Sequence, residues 1–258
     1  MILQPEVFRP LSRVLGGALA VALACTALGW LLAGRYPDAA EIDPRLRAEP
    51  VQTPTRRPAL RMNLHGRDYE VVPQAEYDIR ALVVSQNGAS LWLTEAVEDS
   101  GLTPDVGVIW GENVTRNAFH DVEWWSGAFT LNYRYTDAAV APNPDQVGNV
   151  HLLAANEEVS RQIGAIRNGD QIRLVGALVN YRCPQIGPGW RNSSLVRTDR
   201  ENGACEVMLV DRVEIIRANT PLWFFLRGAG LAMARRAWRA ASLGSSMSWK
   251  QSKCAIRS

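Results

Sequence analysis

The chain has 258 residues, 47% of them hydrophobic and 21% charged, so it is too long for a peptide and too apolar for a disordered protein. Its formal net charge of +2 is unevenly spread: residues 1–35 carry +2, residues 36–216 carry −8 and residues 217–258 carry +8. An acidic middle region argues against a nucleic-acid-binding domain, which needs a basic face. We therefore expect no nucleic acid among its partners.

The first predicted element is a membrane helix. Val14–Ala33 holds twenty residues without a charge, which matches the ~30 Å core of a bilayer at ~1.5 Å per residue. The run is longer than the apolar core of a signal peptide, and no good cleavage site follows it. Because Arg9 and Arg13 precede the run, the positive-inside rule puts residues 1–13 in the cytoplasm. We expect an anchor in a bacterial inner membrane, with the main domain periplasmic or extracellular.

A proline-rich segment follows the predicted anchor. Residues 34–65 contain five prolines among alternating charges: Pro37, Pro44, Pro50, Pro54 and Pro58. Prolines at this density interrupt helix and sheet hydrogen bonding. The segment is predicted to be an extended stalk that lifts the next domain off the membrane.

Residues 66–216 have the pattern of a β-rich domain. Short apolar runs alternate with Gly, Pro, Asn and Asp, which is typical of strands. The predicted strands are Glu76–Ser85, Ser90–Glu95, Val106–Trp110, Thr130–Tyr135, Val150–Ala154, Gln171–Asn180 and Glu206–Ile216. One short amphipathic helix is predicted over Asn156–Arg167, with Asn156 as its N-cap.

A glycine interrupts the strand predicted after this helix. Gly176 divides an alternating apolar pattern, and a glycine within a strand indicates a bulge or bend that lets a small sheet curl. The fold class is predicted as mostly β with one short helix: a small barrel of the oligonucleotide/oligosaccharide-binding (OB) type. A β-sandwich is the alternative.

Two of the four cysteines lie in this domain, Cys183 and Cys205. In an extracytoplasmic domain they could form a disulfide that closes a loop of about 22 residues and contributes about 3 kcal/mol. Two free structural thiols are the main alternative, and a reactive thiol is a lesser one. The cysteines and the three histidines match no metal-ligand spacing, so neither a metal nor a cofactor is expected.

The loop between the two cysteines carries the candidate site. Its polar and aromatic side chains could hydrogen-bond a ligand, or could pair locally as a solvated loop. The ligand-binding candidates are Trp190, Ser193, Ser194, Arg197 and Asp199. The favoured function is a membrane-anchored binding or scaffold module of the cell envelope, with a possible envelope protein as partner and no catalytic residue. The alternative is a membrane-bound hydrolase using Ser194 or Asp199, with His151 brought close by folding.

Four stretches of sequence carry a resemblance. HLLAAN, the GD…G…LV strand, SSLVRTD and GACE, all within about Asn149–Val210, resemble the C-terminal half of an uncharacterised family of bacterial proteins with one N-terminal membrane helix. The resemblance implies this architecture and no activity.

The chain ends in a basic region. Residues 217–240 combine an apolar run with Arg227, Arg235, Arg236 and Arg239, which favours an amphipathic segment lying on the membrane surface. A second membrane crossing is the alternative. Residues 241–258 are polar and predicted to be disordered.

Overall fold

The computed structural model describes residues 8–32, 36–86, 105–127, 130–199, 205–219, 230 and 232–233. The chain divides into two compact units, residues 36–219 and residues 1–35 together with 220–258. The predicted strand Ser90–Glu95, most of segment 217–240 and the tail 241–258 lie outside the described residues.

The terminal unit contains a long helix, α1 (Phe8–Leu32), over most of the predicted membrane segment. Side chains of α1 are described for residues 16–28, and the large apolar ones among them are exposed: Leu19, Val21, Leu23 and Leu28. Ala22 is buried, and a Cβ added at Gly230 would overlap the Thr26 hydroxyl. Gly230 therefore permits a close approach to α1. In the part of the chain that is described, no helix has both the length and the apolarity needed to cross a membrane.

The predicted stalk is not an extended spacer, because most of residues 34–65 pack onto the β-rich unit. Two short 3-10 helices, Ala39–Glu41 and Pro44–Arg47, bring Ile42 and Leu46 into the core. The segment then supplies two strands of the main sheet. Its prolines fit because they stand at the start of a helical turn, on an edge strand or between elements, where no ladder hydrogen bond is needed.

The described residues of the second unit form nine strands and two further α-helices, besides short 3-10 helices, so the unit is mostly β as predicted. The strands are β1 (Val51–Pro54), β2 (Leu60–Leu64), β3 (Arg67–Gln86), β4 (Asp105–Ile109), β5 (Val122–Ser126), β6 (Leu131–Tyr135), β7 (Val147–Ala154), β8 (Gln171–Arg182) and β9 (Glu206–Arg217). The helices are α2 (Glu112–Thr115) and α3 (Glu157–Ala165). The sequence pattern missed β1, β2, β5 and the first half of β3.

Seven strands form one sheet, and β5 and β6 form a separate hairpin. The main path runs β1-β3-β4-β7-β9-β8, and β2 also pairs with β3. Strand β3 is long enough to pair with β4 near its end and with β8 over most of its length. The pairing of β7 with β9 is parallel, and the other pairings are antiparallel.

Two predicted local features are present. Helix α3 begins at Asn156, whose side chain accepts a hydrogen bond from the Val159 amide at 3.0 Å, and it buries Val159 and Ile163. The β8–β9 register shifts between Val175 and Gly176, where a Cβ would overlap the carbonyl oxygen of Leu209. Only a glycine allows the two backbones to come this close.

Candidate functional site

The loop after β8 returns to the sheet before β9 begins. Tyr181 and Arg191 exchange two backbone hydrogen bonds, of 2.9 and 2.8 Å. On the other side, the Ser194 amide donates to Cys205 and the Val207 amide donates to the Ser193 hydroxyl, both at 3.0 Å. Residues 191–194 thus form an inserted segment that bridges the end of β8 and the start of β9.

This inserted segment explains the state of the two cysteines. Neither Cys183 nor Cys205 forms a disulfide in the structure, so the predicted Cys183–Cys205 bond is absent. The Cys183 thiol is buried and donates to the Gln185 side chain, whereas the Cys205 sulfur accepts from Asn149 at 3.5 Å. Burial raises the pKa of Cys205, which opposes the thiolate that a reactive cysteine needs.

The hydroxyl of Ser194 is engaged within the loop. It donates to Asp199 at 2.6 Å, with the Val196 carbonyl oxygen 3.0 Å away, and it accepts from the Val196 amide. The structure therefore brings Ser194 and Asp199 together, but as a loop-stabilising pair. The His151 ring instead lies against the Asp105 carboxyl group on the neighbouring strand, and both side chains are buried. Among the described residues Ser194 has no His base, which the predicted hydrolase requires.

Arg197 and Ser193 also have structural partners. Arg197 donates to the carbonyl oxygen of Pro50 at 2.8 Å, which attaches the loop to the segment before β1. The Ser193 amide donates to the side-chain oxygen of Asn180 at 3.1 Å. Four of the five predicted ligand-binding residues thus hold the loop in one conformation.

A buried acid beneath this loop was not predicted from the sequence. Glu206 opens β9 with only 6% of its surface exposed. The pKa of Glu206 is raised to about 7, chiefly by burial and also by the negative charge of Asp199, against the opposing effects of a backbone hydrogen bond and of Arg197. In the sequence, Glu206 directly precedes the apolar run Val207–Val210. A carboxylate in that position is usually expected to lie at an exposed strand end, so the sequence does not reveal its burial.

Trp190 is the predicted residue that faces solvent, with 43% of its surface exposed. The guanidinium of Arg182 lies 5.2 Å from the centre of its ring, within cation–π range. Arg182 also donates to Glu70 at 2.7 Å, and Glu70 accepts from Arg61 at 3.2 Å. Trp190 therefore lies at one end of a row of charged side chains, Arg182, Glu70 and Arg61, on the outer face of the sheet.

An open cleft of about 420 Å³ lies along this row. Apolar side chains from β2 and β3 form part of it, and Trp190 forms a wall. Its lining residues are Ala59, Leu60, Arg61, Glu70, Val71, Val72 and Trp190. The cleft combines one aromatic surface with a small number of convergent hydrogen-bonding groups, which is the usual composition of a small-ligand site.

The described residues contain no group of three or more His, Cys, Asp or Glu side chains placed to hold a metal ion. No protein-family model, no curated protein and no solved structure matches this chain.

Proposed function

We propose that the chain is a membrane-anchored binding module of the bacterial cell envelope, which holds an oligosaccharide in the cleft beside Trp190. The single observation that carries the proposal is this cleft, where an exposed aromatic ring stands over charged groups on a rigid sheet. Sugar rings stack on aromatic faces, and their hydroxyl groups both donate and accept hydrogen bonds. A Trp beside Arg and Glu side chains offers each of these contacts.

The strand pairings support an OB-like barrel beneath the cleft. Following β3 to β4, β7, β9 and β8 returns to β3, because β3 pairs with both β4 and β8. The parallel β7–β9 pair and the position of α3 before β8 agree with this topology. In OB-like barrels the loop between the fourth and fifth strands contributes to ligand binding. Here that loop joins β8 to β9 and carries Trp190.

The ligand class follows from charge. OB-type domains bind oligonucleotides or oligosaccharides, and residues 36–216 carry a formal charge of −8. This charge repels a phosphate backbone and leaves binding of a neutral saccharide unaffected.

Helix α1 supports the proposed anchor. It is 25 residues long, and the apolar side chains of Leu19, Val21, Leu23 and Leu28 are exposed on it. Apolar helix surface of this kind is stabilised in lipid rather than in water. By the positive-inside rule, the basic residues before the apolar run favour an N-terminus in the cytoplasm and a β-rich unit outside it.

The experiment is co-sedimentation of the detergent-solubilised full-length protein with insoluble peptidoglycan, chitin and cellulose. We expect retention on at least one of these, and a loss of roughly tenfold or more in affinity for Trp190→Ala, which corresponds to a lost stacking contact of about 1.4 kcal/mol. The matched control is Trp125→Ala, an equally exposed tryptophan on the β5–β6 hairpin. If the wild-type protein binds none of the three polymers, or if both variants lose affinity equally, the saccharide site is refuted.

A further inference from the structure

The β5–β6 hairpin presents a tryptophan where its strand pattern calls for a polar residue. Along β5, Val122 and Trp124 pack toward the domain, and the alternate positions Glu123 and Trp125 face outward. Trp125 is 44% exposed, its cross-strand neighbour is Asn132, and the Glu123–Arg134 ion pair lies beside it. We call these four residues, Glu123, Trp125, Asn132 and Arg134, the hairpin outer face.

The first residue of the β-rich unit lies beside this hairpin. Tyr36 stacks edge-on against Phe119, and the His120 ring is 3.2 Å from the carbonyl oxygen of Pro37. Phe119 and His120 directly precede β5. In the sequence, Tyr36 follows the last residue of α1, Leu32, by four positions.

Three consecutive residues of β3 connect the hairpin with both ends of the unit. Val83 accepts from the Gly169 amide, in the turn that also binds Asn219, the last described residue of the unit. The carbonyl of Val84 accepts from the Tyr36 hydroxyl at 2.7 Å. Ser85 hydrogen-bonds to Ser126 of the hairpin at 2.6 Å. The points where the chain enters and leaves the unit therefore lie together, next to the hairpin.

We infer that the hairpin outer face rests on the bilayer surface, with Trp125 at the headgroup level. This inference depends on the proposed membrane anchoring, which ties the Tyr36 end of the unit to the lipid. Tryptophan is enriched at membrane interfaces because its ring is apolar and its N–H is polar. The neighbouring Arg134 and Asn132 can hydrogen-bond to headgroup phosphates and carbonyls.

The Trp190 cleft provides an internal comparison. Strand β8 begins at Gln171, next to the Gly169 turn, and ends eleven positions later at Arg182, beside Trp190. At ~3.3 Å per residue the strand separates these two points by up to ~36 Å. Trp190 is therefore as exposed as Trp125 but lies far from the inferred membrane contact.

The test is photo-crosslinking from the full-length protein in vesicles of phosphatidylethanolamine and phosphatidylglycerol. The photoreactive amino acid p-benzoylphenylalanine replaces Trp125 in one sample and Trp190 in the other. We expect the phospholipid adduct at position 125 to exceed that at position 190 by roughly tenfold, because the interfacial layer is only about 5–10 Å deep. Mass spectrometry of the crosslinked peptide measures both adducts.

Flotation of the same samples separates the two ways in which the idea could fail. If the protein does not float with the vesicles, the anchoring itself is refuted, and the membrane contact with it. If the protein floats but position 125 gives no more lipid adduct than position 190, or crosslinks to a second copy of the chain instead, the anchoring stands and the membrane contact of the hairpin is refuted.

Discussion

The carboxyl group of Glu206 is buried, so its ionisation is coupled to folding. Its pKa is about 7 in the folded protein, against a usual value of 4.5. Between these two values the unfolded chain loses the proton while the folded chain keeps it. Rising pH therefore lowers stability through this window, and the loss is complete above about pH 7.

We expect Glu206→Gln to flatten this pH dependence, because the amide has no proton to lose. The wild-type protein should lose up to about 3 kcal/mol of its free energy of unfolding between about pH 4.5 and pH 7 through this group. Urea unfolding of the full-length protein in detergent at several pH values measures the difference. Glu123→Gln, at an exposed position, is the control. An unchanged profile in Glu206→Gln would show that another group controls stability in this range.

At the level of secondary structure, the β8–β9 pair depends on one glycine. We expect Gly176→Ala to cost about 2 kcal/mol or more, because its Cβ would overlap the backbone of Leu209, which cannot move without opening the ladder. The measurement is the thermal unfolding midpoint of the variant. Gly164→Ala on α3 is the matched control, since open space surrounds that position and alanine favours helix. Equal midpoints for the two variants would contradict a close approach at Gly176.

The predictability of each element follows from the range of the interactions that form it. Helix α3 has its N-cap and its apolar spacing within twelve residues, so the sequence predicts it directly. Gly176 likewise marks its own irregularity. Strands β1 and β2 are short and adjacent to prolines, β1 is exposed and β2 is only partly buried, and they form only because β3 is long enough to pair with both. No local pattern contains that information.

The candidate site divides in the same way. The sequence identifies the loop and Trp190, because an aromatic residue in a polar loop is visible locally. It cannot distinguish ligand-binding polar residues from those consumed by the fold, and Ser194, Arg197 and Asp199 turn out to have partners inside the protein. The disulfide prediction was wrong for a related reason: the sequence does not show that residues 191–194 of the loop fold back between the ends of β8 and β9.

At the level of the whole molecule, residues 36–64 belong to the folded unit, although their composition predicts a stalk. We expect a fragment of residues 36–219 to fold, and a fragment of residues 66–219 to aggregate or remain unfolded. The shorter fragment lacks Ile42, Leu46 and Leu64, which are buried, and exposes the edge of β3. Circular dichroism and size-exclusion chromatography of both fragments measure the outcome. A folded, monomeric 66–219 fragment would mean that the stalk prediction was correct.

Tyr36 and the Gly169 turn, which binds Asn219, are hydrogen-bonded to the neighbouring β3 residues Val84 and Val83. This arrangement affects how the unit responds to a mechanical force. A pulling force applied at Tyr36 and Asn219, the two ends of the unit, acts on the hydrogen bonds of Val83 and Val84. Such a force does not stretch the sheet from opposite sides. The cleft beside Trp190 lies at the other end of β8 from this turn, so such a force would not pass through it.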